Sequence, residues 1–469
     1  MSMKTSDLPL NERLEKELAD KFMRTSIAKA QDLLNQKRDD AFTELGNYEQ
    51  WRENAAAIRS NVLENLDYYL NQFVDKAVQN GARVYFARTA EEATGHALGI
   101  LGKIKARKVV KSKSMVTEEI GLNEALEKAG VEVIETDLGE YILQVDDHDK
   151  PSHIVVPALH KNRDRIRDVF ARKKGYTGDS VPENITRFVR QQIRKEFLTA
   201  DVGITGCNFA VSETGSVTLV TNEGNGRFVT TTPKIQVVFM GMERIVPTFA
   251  ELDIIFSMLV RSAVGAKLTS YLSFITGPAA EKDKDGPEEL HIIIVDNGRS
   301  QVLKSRFKDV LRCIRCGTCM LECPAYRHVS GHGYGTLYPG PLGLALVPIL
   351  AGYEGYSEIT RISSLCGACN DVCPVKIPLY EYILEHRRVS VEEKRLTGFG
   401  ETFIMGRYAQ VIGSSSLYNM MTKLARFSGL LGKAGPLKEW HKERELPKAP
   451  RERFRDWYRK YNKGEGQNG

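Results

Sequence analysis

Hydrophobic positions recur along the first part of the chain at two different periods. Ile58, Val62, Leu66, Leu70, Phe73, Val74 and Ala77 fall at three- and four-residue spacing, and Gly81 closes the helix this stripe predicts. Short apolar runs follow at 83–87, 109–110 and 131–134. Thr89, three residues before Glu92, forms a capping box for an intervening helix. A second helical pattern over 118–129 ends at Gly130. Strand, helix, strand, helix, strand at this spacing predicts parallel βαβ units. Further strands are expected at 154–156, 217–221, 235–240 and 291–295, with helices over 182–198 and 249–262. Gly277-Pro278 and residues 283–289 read as a surface loop. Residues 10–50 are compatible with helix, but Leu14, Leu18, Phe22, Ile27 and Leu33 are spaced too loosely to define a core face.

These patterns divide the chain into an N-terminal helical extension (1–50), an α/β domain (51–300), a mostly helical module (301–390) and a C-terminal region (391–469). At 469 residues the chain is long enough for about three domains, and its cores need no disulfides. With 42% hydrophobic and 27% charged residues it is neither disordered nor fibrous. The net charge of +6 is too mild to point to nucleic acid. It is also uneven: from Arg387 onward 18 Lys and Arg face 9 Asp and Glu, which leaves the rest of the chain slightly acidic. Such a tail can meet an acidic partner or the anionic surface of a membrane. The plainer reading is a solvated helical surface, with loop or tail at Ser414 to Ser416 and over 463–469. The polar start does not resemble a signal peptide. The longest apolar stretch, 342–352, is broken by Pro348 and several glycines and falls short of the ~20 residues that span a bilayer. A cytoplasmic protein is expected, and clustered thiols there read as metal ligands rather than disulfides.

Seven of the eight cysteines lie between Cys313 and Cys373. Cys313, Cys316, Cys319, Cys323 and Pro324 spell C-x2-C-x2-C-x3-C-P, the ferredoxin run in which three thiolates reach one cluster and the fourth serves another. This is not the spacing of a zinc finger. A second run, Cys366, Cys369, Cys373 and Pro374, repeats the last three cysteines, with Ser363 where the first would stand. Exchange between the runs assigns Cys313, Cys316, Cys319 and Cys373 to cluster one, and Cys323, Cys366 and Cys369 to cluster two. Two [4Fe–4S] clusters are expected, the second short of one protein thiolate. Ser363 could complete it, an iron could stay open to water, substrate or partner, or the site could hold a [3Fe–4S] cluster. Gly331, Gly333, Gly335, Gly340 and Gly343 with Pro339, Pro341 and Pro348 predict a rigid loop between the runs, and His328 and His332 read as loop polarity.

In the α/β part, Cys207 stands alone and reads as a small packed residue. Glu213 precedes one strand, and Thr221 to Arg227, rich in Gly and Asn, lies between two. That segment is either an anion-binding nest or a plain hairpin turn. No P-loop or dinucleotide fingerprint is present, so neither flavin nor nicotinamide is expected within this chain.

Beyond the cysteines, the segments Asp201 to Ser216, Thr230 to Pro233 and Gly241 to Pro247 resemble the lactate utilization protein B family, as do Arg312 to Cys319, Tyr338 to Pro341 and Ser364 to Cys369. The resemblance covers nearly the whole chain. It implies a domain of the NagB/RpiA/CoA-transferase type, then an α-helical ferredoxin-type double-cluster domain and a family-specific tail. It places the cluster ligands on the seven cysteines, and in the family, too, the second run has only three. The implied role is electron transfer in oxidation of L-lactate to pyruvate, beside a cysteine-rich protein and a second LUD-domain protein. A quinone at the membrane is a candidate acceptor, with peripheral contact at its inner face. Two other readings stand beside it. The α/β domain could itself be catalytic, with Arg227 pairing the hydroxy-acid carboxylate and Glu213 nearby, or the chain could serve a related glycolate-type oxidase.

Overall fold

Six short strands, several of them buried on both faces, form the centre of the α/β part: Arg83–Ala87 (β1), Lys108–Lys111 (β2), Glu132–Glu135 (β3), Val202–Thr205 (β4), Ile235–Gly241 (β7) and Glu289–Val295 (β10). They lie in the order β1-β10-β7-β4-β2-β3, and every pairing is parallel. A second sheet orders Ile245–Val246 (β8), Phe209–Val211 (β5), Ser216–Thr221 (β6) and Tyr271–Ile275 (β9). This computed structural model describes residues 3–424, 450 and 452–465.

The period of two within β7 separates the layers. Val237 and Phe239 meet Ala93, Ala97, Ile100, Leu122 and Leu126 on one face. Val238 and Met240 meet Val62, Leu66, Phe73 and Ala77 and the second sheet on the other. Parallel strands covered on both sides need continuous apolar runs, which residues 237–240 and 292–295 provide. The result is the expected mixed α/β fold with a parallel sheet, followed by the cysteine-bearing segment.

Several local expectations change. The stripe from Ile58 to Ala77 belongs to two helices, Tyr48–Glu64 and Leu66–Gln79, parted at Asn65. The pattern over 118–129 is likewise two helices, Met115–Glu119 and Leu122–Lys128, parted by Gly121 at φ 66°. Residues 154–156 form no strand. His153 Nδ1 accepts from the backbone N–H of both Val155 and Val156 (3.1 Å each), so those donors are lost to any ladder. Residues 217–221 and 235–240 are not hairpin partners, because β6 pairs with β5 and β9 while β7 lies in the other sheet. The segment between them holds the helix Asn225–Thr231.

The glycine- and proline-rich link between the cysteine runs is not a loop throughout. It contains the helix Gly340–Ala351, buried from Gly340 to Pro348. Pro341 sits in its first turn, where a missing N–H costs nothing. Gly343 is required by packing: a Cβ there would lie 1.6 Å from the Tyr338 carbonyl oxygen.

Residues 10–50 form the helices Leu10–Ala19 and Lys21–Leu45. Of the five apolar positions noted there, only Ile27 is fully buried, and Leu18, Phe22 and Leu33 are exposed. The inward face is Met23, Ile27, Gln31, Arg38, Ala41 and Phe42. These helices share one core with Leu252, Ile255 and Leu259 and with the cysteine segment's Leu311, Ile314, Tyr326 and Leu344. Residues Met1–Lys394 form one compact unit and Arg395–Gly469 another.

The second unit contains the helices Phe399–Gly413, Ser415–Leu424 and Phe454–Glu465. Only Ser414 breaks the first two, so Ser415 and Ser416 are helical rather than loop. Much of the basic stretch, 425–449, and the tail 466–469 lie outside the described residues. Among the described residues no helix is long and apolar enough to cross a membrane.

Candidate metal centre

The two cysteine runs fold alike, turn for turn. Each begins as a 3-10 helix ends, Lys308–Arg312 before Cys313 and Ser357–Ile362 before Ser363. Each then takes a left-handed residue, Arg315 at φ 61° and Leu365 at φ 56°, followed by a left-handed glycine, Gly317 and Gly367. Short helices Thr318–Leu321 and Ala368–Asp371 follow, closed by Cys323 N donating to Met320 O and Cys373 N to Asn370 O, both 3.2 Å.

The thiols fall into two electrically linked groups. Burial pushes the Cys316 thiol upward, with Cys313 and Cys373 adding to it. Burial likewise raises Cys369 to about 12, with Cys323 and Cys366 adding. Burial raises Cys319 most, with Cys316 and Cys313 and then Cys369 and Cys373 adding, so the groups adjoin. Cys373, from the second run, is raised to about 11 and senses Cys313. Several sulfurs receive backbone donors: Arg315 N reaches Cys313 Sγ at 3.3 Å, Tyr326 N reaches Cys323 Sγ at 3.5 Å and Ile377 N reaches Cys373 Sγ at 3.3 Å. Soft sulfur donors, crowded, buried and aimed at by N–H groups, fit iron–sulfur clusters and no hard cation. Cys366 alone of the seven is exposed.

The surroundings are charged in a way the cysteine spacing does not announce. Beyond the carboxyl ends of β7 and β10, where open α/β sheets build their sites, lie Glu243, Arg244 and Arg299. Arg299 Nη1 meets Glu119 Oε1 at 2.8 Å and its Nε meets Glu243 Oε2 at 2.7 Å. Gly241 leaves room for this pair, since a Cβ there would lie 2.3 Å from Glu243 Oε2. Arg244 Nη1 donates to Cys313 O at 3.0 Å, and Arg59 donates to Arg312 O and Leu311 O. Arg315 lies over the Tyr338 ring, and the Tyr338 hydroxyl donates to Glu119 at 2.7 Å. Burial would raise Glu243, yet Arg299, Arg244 and Arg315 hold it down at about 2. Three buried arginines, Arg59, Arg244 and Arg299, and the half-buried Arg315 therefore gather around two buried glutamates. An anionic cluster held by the cysteines would offset that excess, which is costly to bury unpaired.

Gln31, Asn35 and Arg38 of the N-terminal helix complete the cradle. Gln31 Nε2 donates to Met320 O at 2.9 Å, Asn35 Nδ2 to Leu321 O at 3.1 Å, and Arg38 pairs with Glu322 at 2.6 Å. His153 packs on the first run: a Cβ on Gly317 would lie 3.0 Å from its Cε1 and 3.3 Å from its Nε2. Its buried Nε2 has no hydrogen-bond partner. None of these polar residues was singled out from the sequence. Their one signal was membership of the motif blocks, which held Glu243, Arg244, Arg315 and Tyr338.

The other residues picked out from the sequence lie elsewhere. Cys207 packs, partly buried, against the core of Val62, Phe73, Val238 and Met240, and burial pushes its thiol up to about 12. Exposed Glu213 accepts from Phe249 N at 2.9 Å, at the start of the helix Phe249–Val264. Arg227 is exposed on the helix Asn225–Thr231. His328 Nδ1 meets Arg24 at 3.3 Å, and His332 Nε2 meets Lys150 O at 2.8 Å, beside His160 and Asp149.

An α/β layer joined to paired cysteine loops defines an iron–sulfur protein with a 4Fe–4S dicluster domain. The model of that domain matches residues 309–377, and a LUD domain matches residues 70–295. Residues 383–463 match "Lactate utilisation protein B, C-terminal". The chain belongs to the lactate utilization protein B family. It is 55% identical to lactate utilization protein B of Shouchella clausii, over 98% of each chain. It is 51% identical to that of Bacillus subtilis, over 98% of this chain and 97% of the other. "Uncharacterized electron transport protein YkgF" of Escherichia coli is 52% identical, with both chains covered completely.

Proposed function

We propose that the protein carries electrons during oxidation of L-lactate to pyruvate, as one subunit of a larger system. Converting a hydroxy acid to an oxo acid releases two electrons and two protons, so one-electron carriers must divide the pair. Bound clusters supply that one-electron chemistry. In this reading Cys313, Cys316, Cys319 and Cys373 hold cluster one, and Cys323, Cys366 and Cys369 hold cluster two. The observation that carries it is the pair of matching loops whose thiols interleave, Cys373 answering Cys313 and Cys323 answering Cys369. The exposure of Cys366 favours the second loop as the point where a redox partner approaches.

The α/β part, read as NagB/RpiA/CoA-transferase-like, serves as scaffold for the first loop through Arg244 and Arg59. Companion subunits, a cysteine-rich protein and a second LUD-domain protein, would deliver the electrons on the cytoplasmic side, with a quinone downstream. The names of the relatives support the pathway and the electron-carrier role. Protein purified without oxygen should contain iron for about two clusters per chain; much less iron sinks the proposal. A deletion strain that grows normally on L-lactate would sink the pathway assignment.

A further inference from the structure

We infer that Ser363 is the fourth protein ligand of the second cluster, bound to iron through its Oγ. The inference rests on the two-cluster reading above and adds the one ligand that cysteine counting leaves open. Its basis is the repeat in the backbone. Ser363 stands at φ −72° and ψ 134°, Cys313 at φ −52° and ψ 123°, each at the end of a 3-10 helix. In the first loop the N–H two residues on, Arg315 N, donates to Cys313 Sγ at 3.3 Å. In the second loop Leu365 N donates to Ser363 Oγ at 3.1 Å. The side-chain heteroatom therefore occupies the same place in both loops and receives the same donor.

That donor makes the Ser363 oxygen an acceptor, and no group among the described residues takes its hydroxyl proton. The position is also held. Arg387 Nη2 donates to Ser363 O and to Thr360 O, both at 2.6 Å, which ties the start of the loop to the helix Leu379–Arg388. The Tyr334 hydroxyl beside the second group is engaged with Cys323 Sγ at 3.7 Å, and the histidines of the link are engaged too, His328 with Arg24 and His332 with Lys150 O. Binding is a ligand addition without redox change: the Fe–O bond forms as the hydroxyl proton passes to solvent.

The test compares wild type with Ser363→Ala and Ser363→Cys, each the full chain reconstituted without oxygen. Iron and sulfide are counted, and EPR spectra are recorded after mild oxidation and after reduction. Wild type should retain about eight irons and show no three-iron signal. Ser363→Ala should fall to about seven irons and develop that signal, with far-UV circular dichroism unchanged. Ser363→Cys should keep all the iron and titrate at a higher potential, because a thiolate favours the oxidised cluster less than a basic alkoxide does. The expected change is about tenfold in the ratio of reduced to oxidised cluster at fixed potential, or ~59 mV for one electron. A Ser363→Ala protein that matches wild type in iron and EPR overturns the inference, as does a wild type that already carries a three-iron cluster. Either result leaves the two-cluster reading standing. A chain with no clusters at all would instead sink that reading.

Discussion

The first and second cysteine loops share a backbone and one core, and they differ in how far each is enclosed. Cys316 and Cys319 are buried in a core that also contains Ile27, Phe42 and Leu344. Gln31 and Asn35 satisfy that loop's carbonyls, Arg38 pairs with its Glu322, and Arg59 and Arg244 donate to the backbone at its entry. The second loop buries Cys369 and Cys373 in the same core, and Arg52 donates to Asn370 O and Cys373 O, both at 3.0 Å, but its Cys366 is exposed and its start is tied down by Arg387. In the proposed function, the more enclosed copy is part of the fold, and the copy with exposed Cys366 is where a redox partner would approach.

The widest separation between the loops should come from removing one thiol from each. Cys316→Ala takes a ligand from the buried loop and leaves the arginine excess uncompensated, so cluster one should be lost together with several kcal/mol of stability. Cys366→Ala removes an exposed ligand and should cost the second cluster while the fold persists. Iron content and thermal unfolding of both variants check this. Equal destabilisation by the two would remove the distinction between a structural and a peripheral loop.

A smaller difference should appear on acidification. His386 is buried, with Nε2 on Ala345 O at 2.9 Å and Nδ1 on the Tyr353 hydroxyl at 2.7 Å, and burial pushes it down to about 4. Its folded pKa lies below the unfolded value, so its contribution is fully present above about 6.5 and is lost as pH falls toward 4. The loss is at most about 3 kcal/mol. It should fall on the helix Leu379–Arg388, whose Arg387 holds the second loop. The second cluster should therefore bleach before the first between pH 6.5 and 4, and His386→Phe should flatten that dependence. Simultaneous bleaching of both clusters would count against it.

The cysteine loops were legible because ligation demands a fixed spacing, and the parallel sheet because continuous apolar runs need cover on both faces. Much of the cradle was not. The inward face of the helix Lys21–Leu45 escaped notice because it is built partly of Gln31 and Arg38, which match no hydrophobic period and serve the Met320 carbonyl and the Glu322 carboxylate, far along the chain. The helix Gly340–Ala351 was misread for the opposite reason: buried all round, it shows no polar face, and its glycines serve close packing rather than flexibility. The run 154–156 was misread as a strand because a side chain, His153, took its backbone donors.

That histidine offers the finest test of the contrast. With Nδ1 accepting from Val155 N and Val156 N, the neutral ring must carry its proton on Nε2, and burial holds the ring neutral by pushing its pKa down to about 3, with Lys113 adding. The Nε2–H group is buried, has no partner among the described residues and lies against Gly317, between Cys316 and Cys319 of the first loop. A buried donor without an acceptor costs about 1–3 kcal/mol, and a sulfur of a cluster held by the first loop would supply one. Hydrogen bonds to cluster sulfurs stabilise the more negative, reduced state and raise the potential. His153→Asn keeps an acceptor where Nδ1 stood but removes the distal donor, whereas His153→Gln keeps the donor and gives up the acceptor. In an EPR-monitored titration the Asn variant should lower the first cluster's potential by about 59 mV, a tenfold change in its reduced-to-oxidised ratio. The Gln variant should stay near wild type, and the second cluster should not move in either. An unchanged first cluster in the Asn variant would mean that His153 only shapes the 152–157 turn, and the enclosed loop would then owe its electrical distinctness to the arginines alone.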